Sequence, residues 1–529
     1  MKVLVTEPLA EAGLDRVRQQ HDLDLRLGLS PVDLCAILPE YDALIVRSET
    51  KVTREVVNAG ARLKVIARAG VGVDNIDVPA ATARGIAVVN SPEGNTIAAT
   101  EHTLALILSL ARSIPQAAAS LSNGEWKRSR FVGVELYHKT LGILGFGKIG
   151  REVARRALGF EMRVLAYDPF VLPEHAQRLG VQLVEKDELL QRSDFVTIHL
   201  PLNAGTRHSI SETEFALVRP GFRLVNCARG GIVDEDALLS ALESGRVAGA
   251  ALDVFEKEPP GKESALLRHP RIIATPHLGA STEEAQVGVA VDVAEQVNEI
   301  LAGRPARSAV NLPGISPEIL AQLRPYLILQ EKMGRLAAAL LRGRVRSVRI
   351  TYIGEAARYQ MAPLTRSFLM GLLQPALEEA INLVNAALVA EQRGVTVTEG
   401  AERGAPGDLG AYNNLITIEV AGDGMTRSLA GAVIGKGDVR IVSIDNYSVD
   451  IIPEGVMLIT MHTDKPGMIG KVGSLLGSRQ INIARMQLGR AAPRGRAVMV
   501  LNVDDPVSNE VLAELLALDG MQSTTLVEF

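Results

Sequence analysis

Along the first half of the chain, short apolar runs alternate with longer stretches in which apolar positions recur at helical spacing. Short, fully apolar runs suit strands buried on both faces, and the helices between them supply the crossovers of a parallel sheet. Lys2–Val5, Ala43–Val46, Lys64–Ala67 and Ile86–Val89 are predicted as strands of a first sheet. Asn95–Ala111 reads as a long helix, capped near Asn95 or Thr96, that leads into a second series of strands. These are Leu141–Leu144, Arg163–Ala166, Phe195–Ile198, Phe222–Asn226, Gly249–Leu252 and Ile272–Ala274. A helix from about Ser281 to Leu301 returns the chain to the first block, which makes the first domain discontinuous. Turn residues at Gly303–Ala306 and Asn311–Pro317 predict a linker. The region beyond it is mixed and rich in helical periodicity, including Leu369–Val389, up to the Ile452-Pro-Glu-Gly455 break. The last stretch reads as strand, an Asp464–Gly467 turn, helix, strands near Ala484–Leu488 and Ala497–Val503, a helix from Ser508 and a strand at Gln522–Phe529.

Between two of these strands lies Leu141-Gly-Ile-Leu-Gly-Phe-Gly-Lys-Ile-Gly-Arg151, and the second strand ends at Asp168. The order strand, G-x-G-x-x-G, helix, strand, acid is the fingerprint of a dinucleotide site. Gly145 permits the tight turn, Gly147 lets the backbone approach a pyrophosphate, and Gly150 lets the helix pack on the strand. The helix N-terminus then offers unpaired N–H groups to the phosphates. Asp168 can accept hydrogen bonds from both ribose hydroxyls and repels a 2′-phosphate, so the expected cofactor is NAD rather than NADP.

Composition is that of a globular protein, 47% hydrophobic and 22% charged. A net charge of −5 without a long like-charge block gives no sign of a nucleic-acid or membrane partner. The apolar stretches, such as Leu104–Leu108, fall far short of the roughly 20 residues of a membrane helix. The start carries Glu7 and Pro8 where a signal peptide has its apolar core, and two cysteines, Cys35 and Cys227, make a disulfide framework implausible. A reducing cytoplasm is the expected compartment. Nine scattered histidines lack ligand spacing, and no metal is expected.

Three further segments carry a resemblance: Val225-Asn-Cys-Ala-Arg-Gly-Gly231, Ala251-Leu-Asp-Val-Phe-Glu-Lys-Glu-Pro-Pro260 and Ala274-Thr-Pro-His-Leu-Gly-Ala-Ser-Thr282. With the fingerprint, they make residues 1–308 resemble the D-isomer-specific 2-hydroxyacid dehydrogenases, and the final segment resembles an ACT domain. The resemblance implies an α/β protein with a doubly wound, Rossmann NAD-binding domain (99–283) inserted in a discontinuous flavodoxin-like substrate domain (1–98 and 284–308). An α+β intervening domain (309–452) and a C-terminal ACT domain (453–529) follow. It implies oxidation of 3-phospho-D-glycerate to 3-phosphohydroxypyruvate, the first step of phosphorylated L-serine synthesis, in a homo-oligomer, expected to be a tetramer.

Alcohol oxidation requires a base for the hydroxyl proton, and imidazole titrates in the right range. His277 matches the family's Thr-Pro-His motif and takes that role, with Glu258 orienting it. Arg229 supplies a cationic fork for the substrate carboxylate and the C2 oxygen. Matching also places Lys148 and Ile149 in the phosphate turn and Thr206 near the diphosphate. Cys227 and Ala228 fall beside the nicotinamide ribose, Asp253 falls near the carboxamide, and Gly279 is a further cofactor contact. Cys227 is read as a small buried residue rather than a redox thiol.

Arg47 and Arg68 end adjacent strands and are expected to point into one cleft, where a phosphate dianion needs several strong donors. Gly70 and Val71 are expected to present backbone N–H groups to the substrate carboxylate. The Trp126-Lys-Arg-Ser-Arg130 cluster reads equally as surface charge or as a phosphate arginine lent across a subunit boundary. His462, Asp464 and Asn482 match positions from which related ACT domains hold L-serine between two domains, which implies serine as effector; a domain that only dimerises is the alternative. Two other functions remain open at this stage: reduction of 2-oxoglutarate, hydroxypyruvate or glyoxylate, and an NAD-sensing binding protein on the same scaffold.

Overall fold

The computed structural model describes residues 1–304, 307–312, 317–341, 343–378, 380–402, 412–435 and 437–529. The first sheet is parallel and holds β1 (Lys2–Val5), β2 (Asp22–Leu25), β3 (Ala43–Val46), β4 (Val65–Arg68) and β5 (Ala87–Asn90), in the order β2-β1-β3-β4-β5. Its inner strands are apolar on both faces because both are covered. Val3, Val5, Ile45 and Val65 meet Val289, Val293 and Val297 of the returning helix Glu283–Leu301, while Leu4, Leu44 and Ile66 pack against Leu34, Val56 and Ala81.

The second sheet is also parallel: β6 (Thr140–Leu144), β7 (Arg163–Tyr167), β8 (Gln182–Leu183), β9 (Phe195–Ile198), β10 (Phe222–Asn226), β11 (Val247–Leu252) and β12 (Ile272–Ala274), in the order β12-β11-β10-β9-β6-β7-β8. The order reverses between β6 and β9, where such sheets bind their ligands beyond the carboxyl ends of the strands. The helix Thr96–Arg112 carries the chain out of the first sheet and packs against β10, β11 and β12. On the return, buried Gln296 ties the crossing together, donating to Asn90 O (2.9 Å) and accepting from Ser308 N (3.0 Å).

Part of the expected linker, residues 305, 306 and 313–316, lies outside the described residues. Its described part follows β5: Asn311 accepts from Val88 N and donates to Ile86 O, each at 2.9 Å. Beyond it stand the helix Pro317–Leu341 and a sheet of β13 (Val345–Gly354), β14 (Thr396–Glu402), β15 (Asn414–Gly422), β16 (Met425–Ile434), β17 (Asp438–Ile444) and β18 (Tyr447–Ile451). The order is β14-β13-β15-β16-β17-β18, with only β13–β14 parallel. The helix expected across Leu369–Val389 is broken. Met361–Leu373 ends at a 3₁₀ turn holding Pro375, which lacks the N–H that a continuing helix needs. Helix resumes only at Ala386–Gln392, and between the two Asn382 donates to Gly85 O (2.8 Å), pinning this domain to the first.

The last sheet holds β19 (Val456–Thr463), β20 (Ile483–Arg490), β21 (Arg496–Val503) and β22 (Met521–Glu528), in the order β20-β21-β19-β22. One face, with Leu458, Met499 and Leu501, lies under the helices Met468–Ser478 and Asn509–Leu516. The other, with Met457, Ile459, Val498 and Val500, joins the core of the preceding domain.

Candidate active site

The fingerprint glycines do what their positions require. Gly145 adopts φ +93°, and a Cβ there would stand 2.5 Å from His199 O. A Cβ on Gly150 would stand 2.2 Å from Gly145 O, so the helix Lys148–Gly159 can approach the turn only without one. Nothing lies within 4 Å of a Cβ built on Gly147, the N-cap of that helix, so the approach to the helix N-terminus is open there. Lys148 pairs with Glu93 of the crossing segment, and Ile149 follows it in the first turn. At the end of β7, Asp168 accepts from Phe146 N and Phe170 N, each at 2.9 Å, which fixes its carboxylate beside the glycine turn. The Thr206 hydroxyl closes its own loop after β9, donating to Pro201 O (2.6 Å) and accepting from Asn203 N (2.8 Å). Cys227 and Ala228 follow β10; burial pushes the Cys227 thiol up to about 12, so it stays neutral and unreactive at physiological pH. These residues fit NAD: an open helix N-terminus for the diphosphate and a fixed carboxylate for the ribose.

The loops after β10, β11 and β12 bring Arg229, Glu258 and His277 to one side of the cleft between the first two sheets. Glu258 Oε2 accepts from His277 Nδ1 at 2.8 Å, and Phe255 N donates to Glu258 Oε1 at 3.1 Å. Burial raises the Glu258 carboxyl, but the hydrogen bond and charge of His277 outweigh it and hold it below the ordinary range. Two other histidines are excluded as the base by their surroundings. Desolvation pushes the half-buried His199 down to about 3, so it stays neutral. His208 faces carboxylates at both ring nitrogens, Glu256 at 2.9 Å and Asp234 at 3.7 Å. His277 keeps Nε2 for a substrate, and among the described residues nothing bonds it.

His277 sits at φ +55°, a left-handed backbone that is costly for a side-chain-bearing residue. Its N–H donates to Asp253 O (2.9 Å) and Thr275 O (3.0 Å). The Asp253 carboxylate, 1% exposed, accepts from Thr275 Oγ1 (2.6 Å), Leu278 N (2.7 Å) and Gly279 N (2.9 Å), and His102 Nε2 stands 3.2 Å away. This acid is enclosed by the chain and holds the Thr275–Gly279 loop.

Arg229 reaches across the cleft. Its Nε lies 3.1 Å from Asp74 Oδ2, Nη1 donates to Ala228 O (2.7 Å), and a Cβ on Gly72 would stand 2.1 Å from Nη2. Arg68, at the end of β4, lies against Gly70, and its buried Nε has no partner among the described residues. Burial first, and then the charge of Arg229, lowers its pKa. Arg47 is positioned by Glu7, whose carboxylate accepts from Arg47 N (2.8 Å), Ser48 N (3.1 Å), Glu49 N (3.0 Å) and Thr50 N (2.9 Å). The Gly70 N–H donates to Arg68 O within the local turn (2.8 Å). Val71 contributes its carbonyl to Asn90. Arg128 and Arg130 lie in an exposed turn beside Trp126, away from this cluster in hydrogen bonding. Glu7, Gly72, Asp74 and His102 are site residues that local motifs do not reveal.

In the last domain His462, next to last in β19, is buried, 1% exposed, with Nδ1 3.5 Å from Thr460 Oγ1. Asp464 follows the end of β19 and binds Arg490 Nη1 (3.0 Å). Asn482 precedes β20 and binds Asp504 (2.6 Å). Register puts the two at opposite ends of the sheet: Ile483 and Val456 both oppose Val503, whereas Thr463 opposes Arg496.

The glycine turn, the NAD-type acid and the Arg229, Glu258 and His277 cluster on this double-sheet scaffold define an NAD-dependent 2-hydroxyacid dehydrogenase. Residues 104–279 match the NAD binding domain of the D-isomer specific 2-hydroxyacid dehydrogenases, 322–445 the D-3-phosphoglycerate dehydrogenase intervening domain, and 456–520 the ACT domain. D-3-phosphoglycerate dehydrogenase of Synechocystis is 47% identical over 528 residues, 100% of this chain and 94% of its own, and that of Archaeoglobus fulgidus 46% over 531 residues, 100% of both. The chain belongs to the D-3-phosphoglycerate dehydrogenase family. Its dehydrogenase half is also similar to D-lactate dehydrogenase from Aquifex aeolicus, solved with NAD and lactic acid (TM-score 0.52, 29% identity, covering 57% of this chain and 96% of that one).

Proposed function

We propose that the protein oxidises 3-phospho-D-glycerate to 3-phosphohydroxypyruvate with NAD, opening phosphorylated L-serine synthesis. The observation that carries the substrate assignment is Arg68: a half-buried guanidinium beside a second arginine, with a buried Nε that has no partner among the described residues, calls for an anion. Arg68 and Arg47 receive the phosphate, and Arg229 holds the carboxylate and C2 oxygen. Nε2 of His277 takes the hydroxyl proton while Glu258 stabilises the imidazolium. NAD, when bound, supplies the acceptor for the hydride leaving C2. The loops of Gly145–Gly150, Asp168, Thr206, Cys227 and Ala228 hold it, and Asp253 and Gly279 fix the loop beside it. Purified protein should form NADH from 3-phospho-D-glycerate, with NADP a poor substitute; NADH formation from every 2-hydroxy acid except this one refutes the assignment.

The two crossing helices and the four sheets support domain limits of 1–98 with 284–308, 99–283, 309–452 and 453–529. Free Cys35 and Cys227 support work in a reducing cytoplasm. L-serine is the effector in this reading. An eight-residue strand spans roughly 26 Å, so Asp464 and Asn482 can share one serine only if a second, antiparallel ACT domain supplies one of them. That requirement supports a homo-oligomer, with a tetramer formed when the dehydrogenase domains also pair.

A further inference from the structure

The crossing helix Thr96–Arg112 reaches the catalytic loop through the side chain of His102. His102 Nε2 lies 3.2 Å from both Thr275 Oγ1 and Asp253 Oδ1, and the side chain is only 18% exposed. Thr275 Oγ1 itself donates to Asp253 Oδ1 at 2.6 Å. The same carboxylate fixes Leu278 N and Gly279 N, the residues that flank His277 on its C-terminal side. The loop therefore hangs on one enclosed carboxylate, and that carboxylate is reached from the helix joining the two domains.

We infer that His102 is a positioning residue: its Nε2 completes the donor set of Asp253, and so locks the Thr275–Gly279 loop, with His277 on it, to the helix that links the domains. The physical need is clear. His277 is held in an unfavourable left-handed backbone, which persists only while its surroundings over-determine it. An enclosed carboxylate short of a donor would loosen or draw in water, and the loop it holds would follow. His102 touches neither the proton in flight nor the hydride, so its effect passes entirely through the placement of His277. Because it stands on the crossing helix, it also ties loop geometry to the relative setting of the two domains. The inference rests on His277 being the proton acceptor.

The test compares His102→Gln with His102→Asn. A glutamine amide reaches the position of imidazole Nε2, whereas the shorter asparagine amide does not. Two readouts are needed, and the first requires no turnover. Hydrogen exchange in the full chain without ligands should quicken across residues 275–282 in His102→Asn and stay near the parent rate in His102→Gln. In kinetics with 3-phospho-D-glycerate, His102→Asn should lower kcat about 10-fold to 100-fold, the size expected when a reacting group is displaced slightly. KM should move less than about 3-fold, and the primary isotope effect with substrate deuterated at C2 should rise as chemistry becomes limiting. His102→Gln should recover most of kcat. A merely structural role would lower the amount of active protein without changing the isotope effect or the 275–282 exchange. Unchanged exchange and kcat in His102→Asn overturn the inference, as does a loss that His102→Gln does not relieve. If His102→Asn does not fold, Thr275→Val, which removes the bridging hydroxyl, must show the same exchange and isotope changes or the inference fails. His277→Ala run alongside separates the two claims: if it retains full turnover, the reading of the proton acceptor fails, and not the brace alone.

Discussion

Nδ1 of His277 stands 2.8 Å from Oε2 of Glu258, and this single contact assigns the two ring nitrogens different jobs. With Nδ1–H donated to the carboxylate, Nε2 is the basic nitrogen that faces the cleft. Replacing His277 with alanine is expected to lower turnover by about 10²-fold to 10⁴-fold while NADH affinity, measured by fluorescence titration, changes little. Glu258→Gln should cost less, because an amide still accepts from Nδ1 but no longer stabilises the imidazolium. Equal turnover in His277→Ala and the parent removes the histidine from the chemistry.

Asp74 occupies the place of a competitor. Its carboxylate sits on Arg229 where a substrate carboxylate is proposed to bind, and the pair is partly open to solvent, 28% and 68% exposed. Such a pair is worth roughly 0–1 kcal/mol. Asp74→Asn should therefore lower KM for the hydroxy acid by at most about 5-fold, with kcat kept within about 2-fold. A raised KM in steady-state assays would show that Asp74 helps to hold the substrate instead.

Glu7 links the Arg47 loop to pH. Burial raises its carboxyl, but hydrogen bonds from Thr50, Glu49 and Arg47 outweigh that and leave it below its ordinary 4.5. A depressed folded value means the charged form is favoured by the fold. The stabilisation is complete above pH 4.5 and is lost as pH falls through the lower folded value. Urea midpoints of the parent and Glu7→Gln should differ most at neutral pH and converge in acid. A gap that does not depend on pH would contradict the role given to the Glu7 charge.

Serine binding makes a sharper demand, since Asp464 already holds Arg490 and Asn482 already holds Asp504. A bound ammonium must displace the arginine, and binding must depend on assembly. Calorimetry on the full chain should show serine binding that Asp464→Ala abolishes, together with inhibition of NADH formation. No binding to the assembled parent rejects the site; binding without inhibition rejects only the regulatory role.

How much of this was readable in the chain differs by element. The inner strands of both parallel sheets were legible because double burial makes them continuous apolar runs, as at Ala43–Val46. Asp22–Leu25 was not, because an edge strand of alternating Asp and Leu looks like a loop, and Gln182–Leu183 is too short to carry a pattern. The six-stranded sheet was hidden behind the helical apolar spacing of its neighbours, and the run through Leu369 continues only on paper past Pro375. Gly145, Asp168 and the Glu258–His277 pair were legible through local motifs that place chemistry at strand ends. Gly72, Asp74, Glu7 and His102 were not. Each matters through a partner far away in sequence, and His102 meets its loop across 173 positions.

The central claim is that the arginines of the first domain read a phosphate. It is tested most directly by kcat/KM for 3-phospho-D-glycerate relative to D-glycerate, in the parent and in Arg68→Ala. Loss of charge-assisted hydrogen bonds to phosphate costs roughly 1.5–3 kcal/mol, so the ratio should fall about 10-fold to 150-fold while the value for D-glycerate stays nearly constant. An equal loss on both substrates would contradict the claim and make Arg68 a structural residue.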